Sequence, residues 1–305
     1  MRNALGAALA NAYERNVKHQ LFCGDIGFGV FDDLRVRCPS QFHNFGISEQ
    51  HMVSYAAAFS YAMKATSMVY TINPFITSRV HDQLRVDVAY SNAPLIICSV
   101  GAGFSYDNLG FTHYGIEDLA LLSVLPNIRI YTPSDAQDVT DTINQLYVEV
   151  KVDAPVYLRL QKGGERKLWI DFPDFVHHGH SKYWDGSDIE VHTHGAIAEM
   201  ALEARRALDG EISVAVRAVN DWTSYLASSV VLASNLLFLE ENRLVGSLAN
   251  QVIAHALQRN QPLPAIALRC VRHAEFEKTT LRPSALLIND MDTSSLITTI
   301  RDICA

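Results

Sequence analysis

Six consecutive residues, Leu95-Ile96-Ile97-Cys98-Ser99-Val100, limit what this chain can fold into more than any other feature. The run carries no charge and no polar alternation. It reads as a strand buried on both faces, and such strands belong to parallel sheets whose two faces are covered by helices. The flanking residues supply that cover. Asn3 to Asn16 has helical periodicity, Leu21-Phe22-Cys23-Gly24-Asp25 is a short strand ending in a turn, Ser67 to Thr71 is a strand and Arg79 to Tyr90 a helix. Arg129 to Pro133 and Ala154 to Leu160 add two strands, with a helix from about Asp135 to Glu149 between them. Strands alternating with helices of this length predict a parallel sheet sandwiched between helix layers.

From Lys162 the periodic pattern gives way to Gly163-Gly164, charges, Pro173 and aromatics. Residues 164–187 are therefore expected to form a linker between an α/β domain at 1–163 and a smaller α/β domain at 188–305. In the second domain Ile189 to Gly195 is a strand and turn, followed by a helix from Ala196 to Leu208. Strands are expected at Ile212 to Ala218, at Val230 to Ala233 with Leu236 to Glu240, and at Ala265 to Cys270. Helices are expected at Ser247 to Leu257 and Ser294 to Ile303. The fold class is thus α/β in two domains, each a mostly parallel sheet with helices on both faces.

With 305 residues, 49% of them hydrophobic, the chain can supply two packed cores. Its net charge of −8 and the lack of a basic stripe with interleaved aromatics argue against nucleic acid as a partner. The N-terminus reads as an amphipathic helix rather than a cleavable signal, and no apolar run approaches the roughly 20 residues of a membrane span. The five scattered cysteines show no metal or redox spacing, and their odd number argues against a disulfide framework, so a cytoplasmic protein is expected. His177, His178, His180, His192 and His194 cluster without ordered ligand spacing, and no metal is expected there.

Chemistry enters with Asn44-Phe45-Gly46-Ile47-Ser48-Glu49-Gln50-His51-Met52. One carboxylate, Glu49, sits at a glycine-led turn that runs into a small, apolar stretch from Val53 to Ala62. This reads as the start of a buried helix with Glu49 in its first turn. A carboxylate driven into a dry interior is costly unless something there needs it. Desolvation favours the protonated form of such a group, which can then hold or share a proton near neutrality. The alternative is a helix cap, where a negative side chain is favoured by the dipole.

The stretch resembles the G-x-x-E-Q signature of the pyrimidine-binding domain in transketolases and their relatives. That resemblance implies that Glu49 hydrogen-bonds the aminopyrimidine ring of thiamine diphosphate and activates the cofactor. Asn73 to Arg85 is similar to the family's F-x-x-x-R-x-x-D-Q segment, in which an aromatic side chain, here Phe75, stacks on the flat pyrimidine. Cofactor contacts are thus expected from Ile47, Glu49, Phe75 and Arg79. Gly110 to Asp118 resembles the G-x-[ST]-H…E-D loop, whose histidine, here His113, projects toward the thiazolium and the reacting carbonyl. Leu125-Pro126-Asn127 followed by Pro133-Ser134-Asp135 is similar to the family's P-N…P-[SAC]-D spacing. Glu240 to Leu248 resembles the E-E-x-x-x-x-G-G turn of its C-terminal domain.

A complete transketolase is about twice this length and begins with a diphosphate-binding domain carrying G-D-G and a downstream asparagine. The nearest match here, Gly24-Asp25-Ile26-Gly27, ends a strand of the wrong domain and reads as a structural turn. The chain therefore resembles the C-terminal-half subunit of a split transketolase. An N-terminal-half partner subunit would hold the diphosphate and Mg2+ or a similar divalent metal, with two copies of each chain and no metal ligand in this one. The implied reaction moves a ketol or acyl fragment from a ketose or 2-oxo donor to an aldehyde. Glu49 and His113 would be catalytic, His113 as hydrogen-bond donor or general acid.

Two departures bear on the donor. Leu109 falls where transketolases carry an aspartate that binds a donor hydroxyl, and Gly101 falls where a histidine reaches substrate. Asp107 stands two residues away as a possible substitute, so His113, Asp107, Leu109 and Arg159 are the expected substrate contacts. For Arg159 two readings stay open: a contact to a substrate phosphate or carboxylate, or a buried structural ion pair. The alternatives for the whole chain are a 2-oxo-acid dehydrogenase β subunit, which usually shows C-E-Q-G around the glutamate, and a non-catalytic scaffold of the same fold.

Overall fold

A computed structural model describes residues 1–149, 152–228, 232–274 and 280–305. The first sheet comprises β1 (Gln20–Cys23), β2 (Phe42–Asn44), β3 (Ser67–Ile72), β4 (Leu95–Val100), β5 (Arg129–Tyr131) and β6 (Val156–Leu160). Its strands run parallel throughout, in the order β2-β1-β3-β4-β6-β5. Alternate residues feed opposite cores. Leu21, Cys23, Met68, Tyr70, Ile96, Cys98, Leu158 and Leu160 pack toward the helices Arg2–Arg15 and Ala136–Asn144. Phe22, Val69, Leu95, Ile97 and Tyr157 pack toward the helix Glu49–Met63 and the π-helical segment Leu84–Tyr90. All six residues of β4 are fully buried. Burial of each large aliphatic side chain contributes roughly 1.5–3 kcal/mol, which explains why this strand tolerates no polar face.

The second sheet comprises β7 (Val176–His178), β8 (Ser181–Trp184), β9 (Ile189–Thr193), β10 (Val214–Val219), β11 (Asn235–Glu240) and β12 (Ala265–Cys270). Its order is β12-β11-β9-β10-β8-β7, parallel from β12 to β10, with β8 and β7 added antiparallel at the edge. One face packs on the helices Ala198–Ala207 and Thr293–Cys304. The other, through Val219, Trp222 and Phe238, merges with the core that reaches Tyr157 and Ile97 of the first sheet. Two α/β domains with helices on both sheet faces result.

Several expectations are revised. The linker placed at 164–187 contains β7 and β8, which join the second sheet. Their main signal is polar: Lys182 on β8 is buried and its Nζ lies 2.9 Å from carboxylate oxygens of both Asp135 and Asp138 in the first domain. The helix expected from Arg79 begins at His81 and becomes π-helical. Of the strand expected at Val230–Ala233, Val230 and Val231 lie outside the described residues, while Leu232 and Ala233 are not in a strand. The strand β2 and the helices Asp32–Arg37, Trp222–Ala227 and Arg282–Ile288 are short and lacked a readable period.

Candidate functional site

Apart from Arg159, which lies within β6, the candidate residues follow the C-terminal ends of parallel strands, the end at which open α/β sheets bind ligands. Gly24 follows β1, Glu49 lies beyond β2, Phe75 beyond β3, the loop to His113 beyond β4 and Lys162 beyond β6. After β2 the chain turns at Gly46, whose φ of +65° suits glycine, and enters the helix Glu49–Met63. Ala56, Ala57 and Ser60 on the buried face let that helix approach the sheet closely. Glu49 is carried inward and is 4% exposed. A side chain on Gly24 would begin 3.6 Å from the Glu49 Cγ and 3.2 Å from the Thr71 hydroxyl, so the strand end closes directly on the carboxylate stem.

Arg79 Nη1 donates to Glu49 Oε1 at 2.8 Å, and the same guanidinium lies 4.0 Å from the centre of the Phe75 ring. The side chain of Arg79 remains 41% exposed, so the pair sits at the mouth of the site. Phe75 belongs to the short helix Asn73–Ile76, begun by Pro74, and meets His113 edge-on at 5.3 Å. His113 Nδ1 lies 2.9 Å from the Thr112 hydroxyl. Partial burial, then the charges of Arg79 and Lys162, hold the His113 pKa below the ordinary histidine value. The structure thus brings Glu49, Phe75, Arg79 and His113 together. Ile47 stands 80% exposed on the approach to Glu49.

Arg159 requires a correction. It is buried, with Nε donating to Asp118 Oδ2 at 2.8 Å and Nη2 to the carbonyls of Gly115 and Glu241 at 2.6 and 3.2 Å. Asp118 Oδ2 also accepts from Asn73 and Tyr157. A guanidinium committed in this way is a structural partner, and the expected substrate contact is withdrawn. Asp107 spends its carboxylate on the main-chain N–H groups of Asn108 and Arg282, at 2.6 and 3.4 Å. Leu109 is 45% exposed in the same turn.

Position 101 has a steric explanation. A Cβ on Gly101 would fall 2.4 Å from the Tyr106 ring, and the residue has a φ of +105°. Tyr106 occupies the space that a side chain at 101 would need. Neither Tyr106 nor Lys162, whose Nζ lies 4.7 Å from the Tyr106 ring centre, was singled out from the sequence as a site residue. Lys162 was legible in principle as a cation just past a parallel strand end. Gly24-Asp25 is a turn, Asp25 exchanging hydrogen bonds with the side chain of Asn44. Among the described residues His177 approaches Asp138 and Asp141 at 3.5 and 3.4 Å, where Lys182 already answers the charge of Asp138. His192 and His194 lie apart from it, paired with Glu190 and Glu240.

Residues 1–166 match the family model described as "Transketolase, pyrimidine binding domain", a span holding the whole first sheet and its site residues. The chain belongs to the transketolase family. Within that family it is similar to 1-deoxy-D-xylulose-5-phosphate synthase of Chlorobium phaeovibrioides, at 30% identity over 224 residues, 71% of this chain and 34% of the synthase. It is also similar to one subunit of the apulose-4-phosphate transketolase of Actinobacillus succinogenes, at 28% identity over 71% of each chain. The chain spans about a third of the length of the synthase it matches. A split-gene transketolase, solved as an inactive β4 tetramer, superposes with a TM-score of 0.83 at 24% identity, over 99% of this chain and 97% of the other. Transketolase of Campylobacter jejuni superposes with a TM-score of 0.78 at 14% identity, over 99% and 46%. These likenesses show that both domains adopt the transketolase fold. Among the described residues no helix is long and apolar enough to cross a membrane.

Proposed function

We propose that this chain is one subunit of a two-component, thiamine-diphosphate-dependent transketolase-like enzyme that moves a ketol or acyl fragment from a ketose or 2-oxo donor to an aldehyde. The observation that carries this reading is the convergence of a buried carboxylate, an aromatic face and a cation-flanked histidine at one end of one sheet. The donor set fits an aminopyrimidine. Phe75 offers a flat apolar face, Glu49 a desolvated carboxylate, and Gly24 the absence of a side chain beside it. Arg79 takes Glu49 Oε1, so Oε2 is the oxygen that would meet a ring nitrogen and hold a proton there. Thiamine diphosphate, when bound, supplies the chemistry for making and breaking carbon–carbon bonds next to a carbonyl.

The remaining roles fall to this chain's own groups. His113, with its pKa held low, is neutral near pH 7 and can donate one ring N–H to an oxygen of the reacting carbonyl. Arg79 and Lys162 give the cleft a positive potential that suits anionic donors and acceptors. Leu109 offers no acceptor; it is 45% exposed in this chain, so it disfavours a donor hydroxyl only where the partner subunit covers it, and there an unpaired buried hydroxyl would cost roughly 1–3 kcal/mol. The diphosphate and Mg2+ would be held by an N-terminal-half partner subunit, in a complex with two copies of each chain. Two features support the partner: a relative that is itself one subunit of a transketolase and matches over 71% of its length, and the fold likeness to a split-gene transketolase. The five free cysteines suit a reducing compartment, and we place the enzyme in the cytoplasm.

Calorimetry tests the assembly. The purified chain should take up little thiamine diphosphate with Mg2+ and should gain binding when its partner is added. Tight, magnesium-dependent binding by this chain alone would overturn the two-component reading.

A further inference from the structure

The loop that carries His113 belongs to the first domain by sequence, yet its walls come from the second. Gly103 and Gly115 close its neck by exchanging two main-chain hydrogen bonds of 2.8 and 3.0 Å. Beyond the neck Phe104 and Tyr114, and just outside it Ile116, enter the core of the second domain, alongside Ile197, Leu239 and Ala285. Phe104 meets Tyr114 edge-on at 5.0 Å. The loop thus turns an apolar side into the second domain and leaves His113 on its other side, against Phe75 and Tyr106.

A carboxylate of the second domain reaches the neck, beside the Arg243 N–H that donates to the Ile116 carbonyl at 2.9 Å. Glu241 Oε1 accepts the Phe104 N–H at 2.9 Å. Gly103, at a φ of +58°, lies so close that a Cβ there would fall 2.4–2.6 Å from Glu241 side-chain atoms. Arg282 grips the same carboxylate from behind, Nη2 to Oε2 at 2.7 Å and Nε to Oε1 at 2.9 Å, and its own N–H donates to Asp107 at the loop tip at 3.4 Å. Glu199 answers the remaining charge of Arg282 at 3.1 Å. The neighbouring Glu240 serves only its own domain, accepting from His194 and from the N–H groups of Leu248 and Ala249.

Apolar packing would be enough to dock two domains, and a buried charge is costly to keep. A carboxylate adds a directional acceptor at one backbone atom of the loop. We propose that the second domain serves as the mould of the His113 loop, with Glu241 as the positioning residue that sets where the histidine stands. This rests on the proposed function only in giving His113 work at the reacting oxygens.

The groups facing His113 are Phe75, Tyr106, Arg79, Lys162 and the Thr112 hydroxyl. Partial burial depresses its titration, so a displaced loop shifts that titration upward. Three variants of the full chain separate positioning from simple docking. Glu241→Gln keeps an acceptor for the Phe104 N–H, Glu241→Met removes it, and Gly103→Ala pushes the neck away with every charge in place. In the first two Arg282 keeps Glu199 as its counter-charge. The readouts are the His113 titration by NMR and hydrogen exchange at the Phe104 amide, with the Val69 amide of β3 as an internal control. Expected are an upward shift of His113 and at least about tenfold faster Phe104 exchange in Glu241→Met and Gly103→Ala, near-normal behaviour in Glu241→Gln, and no change at Val69. Should Glu241→Met fail to fold, Gly103→Ala decides. An unmoved His113 titration with unchanged Phe104 exchange in folded Glu241→Met, or in folded Gly103→Ala where Glu241→Met does not fold, overturns the proposal. Neither readout uses cofactor or partner, so a failure here and a failure of the two-component reading are distinguishable.

Discussion

Replacing Arg159 with methionine tests the corrected reading of that residue. Asp118 is 1% exposed, and its Oδ2 accepts from Arg159 at 2.8 Å, from Asn73 at 2.8 Å and from the Tyr157 hydroxyl. Without the guanidinium the carboxylate stays buried with neutral donors only. Breaking such a pair by removing one partner costs about 3–5 kcal/mol. For a domain of this size each kcal/mol lowers the melting midpoint by roughly 2–4 °C, so the first domain should melt about 6–20 °C earlier. The two domains need not unfold together, and the assay has to see them separately. Of the three tryptophans, Trp222 sits in the core shared by the two domains and donates to the Thr132 hydroxyl at 2.8 Å, so the comparison is made in a Trp222→Phe background, where fluorescence from Trp169 and Trp184 follows the second half while circular dichroism follows the whole chain. The dichroism midpoint should fall further than the fluorescence midpoint. The double variant Arg159→Met/Asp118→Leu, which buries no lone charge, should recover most of the loss. A drop below about 2 °C in the single variant, together with a raised KM for an anionic substrate, would refute the structural assignment and restore Arg159 to substrate binding.

Glu49→Ala should abolish transfer by the assembled enzyme while the melting midpoint moves by only a few degrees. The lost partner Arg79 is 41% exposed, and such a pair contributes only about 0–1 kcal/mol; retained activity would return Glu49 to a helix-capping role. Acid should weaken the fold in a definite window. His19, His43 and His113 each have a native pKa held down first by burial, so the unfolded chain takes up their protons earlier. Their contribution is intact above the ordinary histidine pKa of about 6.5 and is lost as the pH falls below it. Urea midpoints measured at about pH 7.5 and about pH 5.5 should therefore decline, and a rise on acidification would contradict this account.

Local patterns carried the architecture. The apolar run at β4 required a sheet covered on both faces because each of its alternate residues needs its own core, and Ile96 and Ile97 do pack into different ones. Glu49 was legible as a carboxylate in the first turn of a helix of small residues, which left burial and a helix cap both open, and the fold carries it inward to 4% exposure. Phe75 and His113 stood out only through the resemblance of their segments to transketolase motifs, and nothing in the sequence foretold their meeting at 5.3 Å. The remaining features depend on partners distant in sequence. Arg159 looked equally suited to substrate until Asp118, 41 residues away, was seen to hold it. Gly101 looked like a missing side chain until the Tyr106 ring was found in its place. The supposed linker carries a buried lysine whose two carboxylates belong to the other domain. Glu241 reaches 137 residues back to one amide of the His113 loop. Periodicity reports which face of an element is apolar, but the choice among possible partners for a buried charge is made by the packing that brings them within hydrogen-bond distance.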